Sequence, residues 1–236
     1  MTGLCVARVA VVAALVGGDI GRCQAASATT EPVLYTARFN PSQTYYLEVP
    51  GGETGERSWP LVIVIHGGMA SGLGDFKLWR PYAVQEGFIL LAPNMRGQYH
   101  LLEGGSDRVL VRLVEELSQT YRIDRSKVLL AGFSWGGQFA YRFAMKYPAF
   151  AHTVAILNAA QFPPSPPARG MIYPRFYLAV GAEERVALAH NGTLAAALRR
   201  AGYPVELLVA RGVGHSIPSQ AIVEILARIR AMQGVG

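Results

Sequence analysis

A serine flanked by glycines is the first feature of this chain that could do chemistry. Ser134 stands in Gly-Phe-Ser-Trp-Gly (132–136), directly after an apolar run and directly before a segment with helical spacing. Between a strand and a helix, the pattern G-x-S-x-G is typical of a nucleophile elbow, whose sharp turn exposes the hydroxyl and needs glycines to avoid collisions. The alternative interpretation is a glycine-rich turn with an inert serine. Because the chain has 26 glycines, the pattern needs partners elsewhere in the sequence to carry weight.

A serine hydroxyl becomes a nucleophile when a base takes its proton and an acid orients that base. Three histidines follow Ser134, and His215 lies between the last apolar run and the last helical segment. We therefore predict that His215 is the base. His152 precedes an apolar run and His190 begins a helical segment, so we interpret both as surface or packing residues.

The acid is marked less clearly than the base. No aspartate follows Ser134 in the chain. Glu206 lies within an apolar run and Glu224 lies on the last helical segment, whereas Glu183 and Glu184 directly follow a run. We predict that Glu184 is the acid and keep Glu183 as the alternative.

Ester or amide hydrolysis also needs two backbone amides that stabilise a developing oxyanion. We predict the amides of Trp135, next after the serine, and Gly68, in His-Gly-Gly-Met after the run 61–65, with Met69 as the less favoured alternative. Loops at the same strand ends supply candidate substrate-pocket residues, which are Met69, Gln98, Tyr99 and Phe162. Arg96 is a candidate to meet an anionic group. The alternative is that these side chains only pack the loops.

The elements that must position these residues are short apolar runs alternating with helical patterns. Continuous runs of this kind are typical of parallel strands buried on both faces, and they cover 61–65, 88–92, 128–132, 153–157, 177–181 and 205–209. Before them, runs 33–39 and 44–50 flank Asn-Pro-Ser-Gln, which predicts an antiparallel pair with a turn at 40–43. The sequence therefore predicts a three-layer α/β fold with an eight-stranded, mostly parallel sheet, and such folds bind ligands at the carboxyl ends of their strands.

The N-terminal segment reads as a targeting signal. Arg8, an apolar run and small residues ending in Ala-Ser-Ala (26–28) match a secretory signal peptide, with an N-terminal anchor or a buried strand as alternatives. We expect residues 1–28 to be removed and residues 29–236 to form a single domain that is secreted or periplasmic. Both cysteines, Cys5 and Cys23, lie in the removed part, so we expect no disulfide.

Composition excludes several other classes of function. The formal net charge is +6, but the cations are scattered, so nucleic-acid binding is not expected. The apolar runs are too short for a stable membrane anchor. The chain has no G-x-x-x-x-G-K and no H-E-x-x-H, so we expect neither a cofactor nor a metal.

Four motifs together resemble the α/β-hydrolase superfamily: "IHGG", "GFSWGG", "VGAEE" and "GVGHS". The chain looks most like small secreted serine esterases related to polyhydroxybutyrate depolymerases, feruloyl esterases and phospholipase/carboxylesterases. The resemblance implies a Ser-His-acid triad, no cofactor, and hydrolysis of small-molecule or polymer-end carboxylic esters through an acyl-enzyme. It places Glu184 where the family has aspartate in G-x-x-D, and the short segment after the run 153–157 leaves no room for a large lid.

Two other functions stay open at this point. The chain also resembles the catalytic domains of prolyl-oligopeptidase-type peptidases, although it has no room for their propeller domain, so an exported serine peptidase is one alternative. The other is a catalytically inactive binding module of the same fold, for which the missing aspartate is the only support.

Overall fold

The apolar runs form one eight-stranded sheet in the order β1-β2-β4-β3-β5-β6-β7-β8. The computed structural model of the chain describes residues 31–52, 58–163 and 174–234. The strands are β1 (Leu34–Ala37), β2 (Asn40–Glu48), β3 (Trp59–Ile65), β4 (Ile89–Pro93), β5 (Ile123–Phe133), β6 (Thr153–Leu157), β7 (Arg175–Gly181) and β8 (Val205–Ala210). β2 pairs antiparallel with β1 and with β4, and every other pairing is parallel. The predicted fold class is confirmed.

In the described part of the chain, five α-helices cover the two faces of the sheet. They are α1 (Gly72–Glu86), α2 (Ser106–Ser118), α3 (Trp135–Lys146), α4 (Arg185–Arg200) and α5 (Ser219–Gln233). Side chains from α2, α3 and α4 pack with one face of the sheet, and side chains from α1 and α5 pack with the other. Alternate residues of β3 show the division, because Leu61 and Ile63 join the first cluster and Val62 joins the second. The result is the three-layer arrangement that buries a parallel sheet on both faces.

The turn between β1 and β2 differs from the sequence prediction. It falls at Arg38 and Phe39, and the predicted turn residues 40–43 instead begin β2. Contacts with α2 explain the shift: the Arg38 amide donates a hydrogen bond to Glu116 Oε2 (2.9 Å), and the Arg112 guanidinium lies 4.3 Å from the centre of the Phe39 ring. A long-range contact thus overrides the local turn signal of Asn-Pro-Ser-Gln.

The parallel strands β3 to β8 end at one edge of the sheet, where the loops carrying the predicted site residues begin. In the part of the chain that the structure describes, no helix is both long and apolar enough to cross a membrane. The predicted signal segment 1–28 and residues 164–173, on which the absence of a lid depends, lie outside the described residues.

Candidate active site

Ser134 occupies the sharp turn between β5 and α3 in a backbone conformation that few residues adopt. Its φ is 53° and its ψ is −116°, and its amide donates a hydrogen bond to the Leu157 carbonyl (3.0 Å). The flanking glycines are required by contact distance. A Cβ on Gly132 would lie 2.0 Å from the Gly136 oxygen, and a Cβ on Gly136 would lie 2.0 Å from the Ile65 oxygen. The local geometry is therefore that of a nucleophile elbow.

His215 lies in the loop between β8 and α5, within reach of the serine. Its Nε2 is 3.1 Å from Ser134 Oγ, a hydrogen-bond distance that allows proton transfer between them. The loop packs closely on the end of β7, since a Cβ on Gly181 would lie 2.1 Å from the Val213 oxygen. The Phe133 ring also contacts the imidazole, with ring centres 5.0 Å apart. The fold thus brings together the serine and the histidine that the sequence singles out.

Asn158 anchors the loop that carries His215 through two hydrogen bonds. The sequence does not predict this role. Its Nδ2 donates hydrogen bonds to the Gly214 carbonyl (2.5 Å) and the Ser216 carbonyl (3.0 Å), the residues on either side of His215. The Asn158 side chain is fully buried (0% exposed). From sequence alone, an asparagine after a strand is interpreted as a loop residue that could face a substrate. Nothing in the sequence indicates that it binds the loop around His215.

Glu184 is the carboxylate that meets the histidine. Its Oε2 lies 3.6 Å from His215 Nδ1, an ion-pair distance that is longer than a hydrogen bond. The side chains are 50% exposed for His215 and 35% for Glu184, so water screens part of their attraction. Among the described ion pairs of 4.0 Å or less, none joins Glu183 to His215. Instead the Glu183 amide donates to the Val213 carbonyl (3.2 Å), which fixes the turn that presents its neighbour.

The amides predicted to bind an oxyanion belong to the first residue of α3 and to the loop after β3. Within the described structure, the N–H groups of Trp135, Gly68 and Met69 have no hydrogen-bond acceptor. Gly68 sits against the Trp135 ring, where a Cβ would approach the ring to 2.6 Å. Met69 has a φ of 57° and a fully exposed side chain, in a turn closed by the Ala70 amide and the Gly67 carbonyl. The arrangement leaves donors free for a ligand beside the N-terminus of α3, where negative charge is favoured.

His66 supports this loop and takes no part in the triad. Its Nδ1 donates to the Gly67 carbonyl (2.6 Å) and its Nε2 accepts from the Met95 amide (3.0 Å), which is the pattern of a neutral imidazole. Burial lowers the pKa of His66 and favours that neutral form. The Tyr99 hydroxyl donates to the His66 carbonyl. The loop before the oxyanion amides is therefore held by buried hydrogen bonds.

The predicted pocket residues do not form one surface. Tyr99 is buried (3% exposed) and its hydroxyl donates to the His66 carbonyl, so it supports the loop after β3. Gln98 and Arg96 are exposed and line a groove of about 410 Å³ whose lining includes neither Ser134 nor His215. Phe162 is partly buried with its ring edge against Tyr141, 5.5 Å between ring centres. Of the four pocket candidates, Met69 is the one next to a predicted oxyanion amide.

In the described structure, neither of the remaining histidines after the serine is hydrogen-bonded to Ser134 or His215. His152 lines a cavity of about 700 Å³ together with residues at the amino ends of the strands, on the opposite edge of the sheet. His190 accepts a hydrogen bond from the Gln161 amide (2.8 Å). The described residues contain no group of three or more His, Cys, Asp or Glu side chains placed to hold a metal ion.

Residues 60–191 match the family described as the α/β hydrolase fold. The match covers more than half of the chain, so the protein belongs to this family, as its resemblance in sequence implies. Among curated proteins, none matches this sequence.

Solved structures with the same fold include esterases and serine hydrolases. An acetyl xylan esterase from Aspergillus awamori has a TM-score of 0.68 at 15% identity, over 88% of this chain and 100% of its own. A fluorophosphonate-binding serine hydrolase of Staphylococcus aureus has a TM-score of 0.67 at 13% identity, over 84% and 97%. A thermostable esterase has a TM-score of 0.63 at 14% identity over 87% of this chain, which spans 61% of the length of that esterase. At these identities the likeness is one of fold.

Proposed function

We propose that the protein is a serine hydrolase that cleaves carboxylic esters through an acyl-enzyme. The observation that carries the proposal is the contact between His215 Nε2 and Ser134 Oγ at 3.1 Å, with Glu184 on the other side of the imidazole. A serine in a strained elbow, a histidine in contact with it and a carboxylate beyond are the parts of a catalytic triad. Fold neighbours that are esterases support the choice of bond, since their fold extends over 87–88% of this chain.

The proposed reaction follows from the contacts. Ser134 Oγ attacks the ester carbonyl carbon while His215 Nε2 takes its proton, and Glu184 stabilises the imidazolium that forms. The oxyanion accepts hydrogen bonds from the amides of Trp135 and Gly68. His215 then gives its proton to the leaving alcohol. Water, activated by the same nitrogen, attacks the acyl-enzyme and releases the acid and the free serine.

The substrate class can be tested with a panel of esters and amides. We expect the purified protein to hydrolyse nitrophenyl esters of short acyl chains and to leave matched peptide nitroanilides intact. Amide hydrolysis with rates comparable to the esters would point to the serine peptidase alternative. Binding of the esters without any turnover, by wild type and Ser134→Ala alike, would point to an inactive binding module.

The remaining parts of the proposal concern location and partners. We propose that residues 1–28 are a signal peptide, that residues 29–236 act as one domain, and that the protein is secreted or periplasmic. Its ligands would be small-molecule or polymer-end esters, without nucleic acid, cofactor or stable membrane anchor. Expression with the full N-terminus followed by intact mass of the exported form should show a chain that starts near Thr29. An exported chain that keeps Met1 would contradict this.

A further inference from the structure

One arginine on α3, Arg142, has no counter-ion among the described residues. Arg142 lies on α3 two helical turns after Trp135, on the same side of the helix. Its guanidinium is partly buried, and burial lowers its pKa. The Nη1 atom is buried without a hydrogen-bond partner, and none of the ion pairs among the described residues includes Arg142. Such a group is costly to bury unless something accepts its hydrogen bonds.

His100 is a second unpartnered group at the same place. Its side chain is 8% exposed, and its Nδ1 is buried without a partner. Its ring stacks on the Trp135 ring with centres 4.2 Å apart and planes inclined by 32°. Burial lowers the pKa of His100, and the charge of Arg142 lowers it further.

The pair adjoins the predicted oxyanion amides. The Trp135 ring that carries His100 on one side also packs against Gly68, whose Cβ position would lie 2.6 Å from it. Side chains on a helix lean toward its N-terminus, so Arg142 leans toward the serine end of α3. His100 therefore lies on the Trp135 ring that also borders Gly68, and Arg142 lies two helical turns further along α3.

Among the described residues, no acid pairs with His100 or Arg142. No carboxylate contributes to the pKa shift of either group in the described structure. The Tyr141 hydroxyl beside Arg142 is also buried without a partner. Arg142 Nη1 can only donate, so among the described residues it is a buried donor that still lacks an acceptor.

We propose that His100 and Arg142 form a subsite for an ionised carboxylate on the ester substrate. A planar guanidinium binds a carboxylate through two parallel hydrogen bonds, which a lone partly buried arginine is free to make. The inference rests on the proposed ester hydrolysis and names its substrate class: esters that carry a second, anionic carboxylate. Arg96, the arginine that the sequence favours for an anionic group, lies instead in the separate groove with Gln98.

The test compares matched anionic and neutral esters. One pair is mono-nitrophenyl glutarate and nitrophenyl butyrate, with the carboxylate on the acyl side; the other is 4-acetoxybenzoate and phenyl acetate, with it on the leaving group. Replacing Arg142 by Met should lower the anionic-to-neutral ratio of kcat/KM at least tenfold in one of the pairs. Arg142→Lys, which keeps the charge but not the fork, should restore part of that ratio.

The control variant is Arg175→Met, an exposed arginine at the start of β7 on the opposite edge of the sheet. It should leave the ratio within twofold of wild type. The subsite is overturned if Arg142→Met leaves the ratio within twofold in both pairs, or lowers the rates of anionic and neutral esters equally.

A binding measurement separates this inference from the proposed function. Calorimetric titration of glutarate into Ser134→Ala needs no turnover, and we expect the added Arg142→Met change to weaken binding at least tenfold. Equal affinity in the two proteins would overturn the subsite even if esters are hydrolysed. If the wild type hydrolyses no ester but glutarate still binds in an Arg142-dependent way, the proposed hydrolase function is overturned and the subsite is retained.

Discussion

Strained backbone is concentrated where the proposed chemistry takes place. Among the described residues, four of the five non-glycine residues with positive φ follow the ends of β3, β5 and β6: Met69 (57°), Ser134 (53°), Asn158 (46°) and Gln161 (60°). The fifth is Leu102 (65°). Each such residue costs on the order of 1–3 kcal/mol and persists only when its surroundings hold it. At Ser134 the hold is visible, because the Leu157 carbonyl binds its amide and neighbouring backbone leaves no room for side chains at Gly132 or Gly136. The strain therefore supports a functional role for this edge.

The choice between two adjacent glutamates is also decided at this scale. Glu184→Gln should lower kcat by about 10²–10⁴-fold, because the neutral amide no longer stabilises the imidazolium of His215. The lower part of that range is the more consistent with a separation of 3.6 Å between Glu184 Oε2 and His215 Nδ1. Glu183→Gln, its matched control, should stay within about threefold of wild type. Steady-state kinetics with a nitrophenyl ester measures both, and two mild losses would contradict the assignment.

At the scale of elements, four neighbouring strands of the sheet converge on the histidine. Ser134 follows β5, Glu184 follows β7, and His215 follows β8. Asn158 follows β6 and binds the two carbonyls on either side of His215. Replacing Asn158 by Ala should lower kcat about 10- to 100-fold with little change in KM, since a small displacement of the base is enough. Asn158 is thus expected to be a positioning residue for His215.

Asn191→Ala is the control for that prediction. Asn191 is likewise fully buried, and its Nδ2 donates to two carbonyls, those of Ala159 (2.6 Å) and Ala187 (2.7 Å), but it does not touch the histidine loop. Both variants should lose about 1–3 kcal/mol of unfolding free energy. Only Asn158→Ala should also lose kcat when assayed well below its Tm. Equal kcat values for the two variants would assign Asn158 a purely structural role.

The first turn of α1 contains a carboxyl group that makes stability depend on pH. Burial raises the pKa of Asp75 from 3.8 to about 6. The unfolded chain therefore releases this proton at a lower pH than the folded chain does. As the pH rises from about 4 to about 6 the free energy of unfolding decreases, and above that range this contribution no longer changes. Because the group is partly exposed, we expect Asp75→Asn to raise the unfolding free energy by about 1–2 kcal/mol at pH 8.

The measurement for Asp75 is urea unfolding of both proteins at two pH values. The gain from Asp75→Asn should vanish near pH 4, where the wild-type carboxyl is protonated in the folded state. An advantage of the same size at pH 4 and pH 8 would show that burial of the ionised carboxylate is not its cause.

At the scale of the whole molecule, the fold and the triad candidates could be read from sequence because their signals are local. Continuous apolar runs give the buried strands, and residues at the ends of parallel strands meet at one edge whatever the details of packing. Ser134, His215 and Glu184 all stand at such ends, and the structure brings them within 3.1 Å and 3.6 Å of one another.

Features that depend on long-range packing could not be predicted in this way. Contacts with α2 determine the position of the β1–β2 turn. The buried Tyr99 donates a hydrogen bond to the His66 carbonyl, and Asn158 donates one to the Gly214 carbonyl, 56 residues away in the chain. From sequence alone, Arg142 is interpreted as an ordinary surface cation of a helix. Only the three-dimensional structure shows that its Nη1 is buried without a hydrogen-bond partner among the described residues.

The most direct measurement of the central claim is labelling of the protein by a fluorophosphonate probe, with the modified residue located by peptide mass spectrometry. The account predicts covalent labelling of the wild type at Ser134, no labelling of Ser134→Ala, and labelling of His215→Ala slowed by at least 10²-fold because the base is missing. The adduct should form whatever the natural ester is. A wild-type protein that takes up no label, or takes it up equally in Ser134→Ala, would contradict the claim that Ser134 is an activated nucleophile.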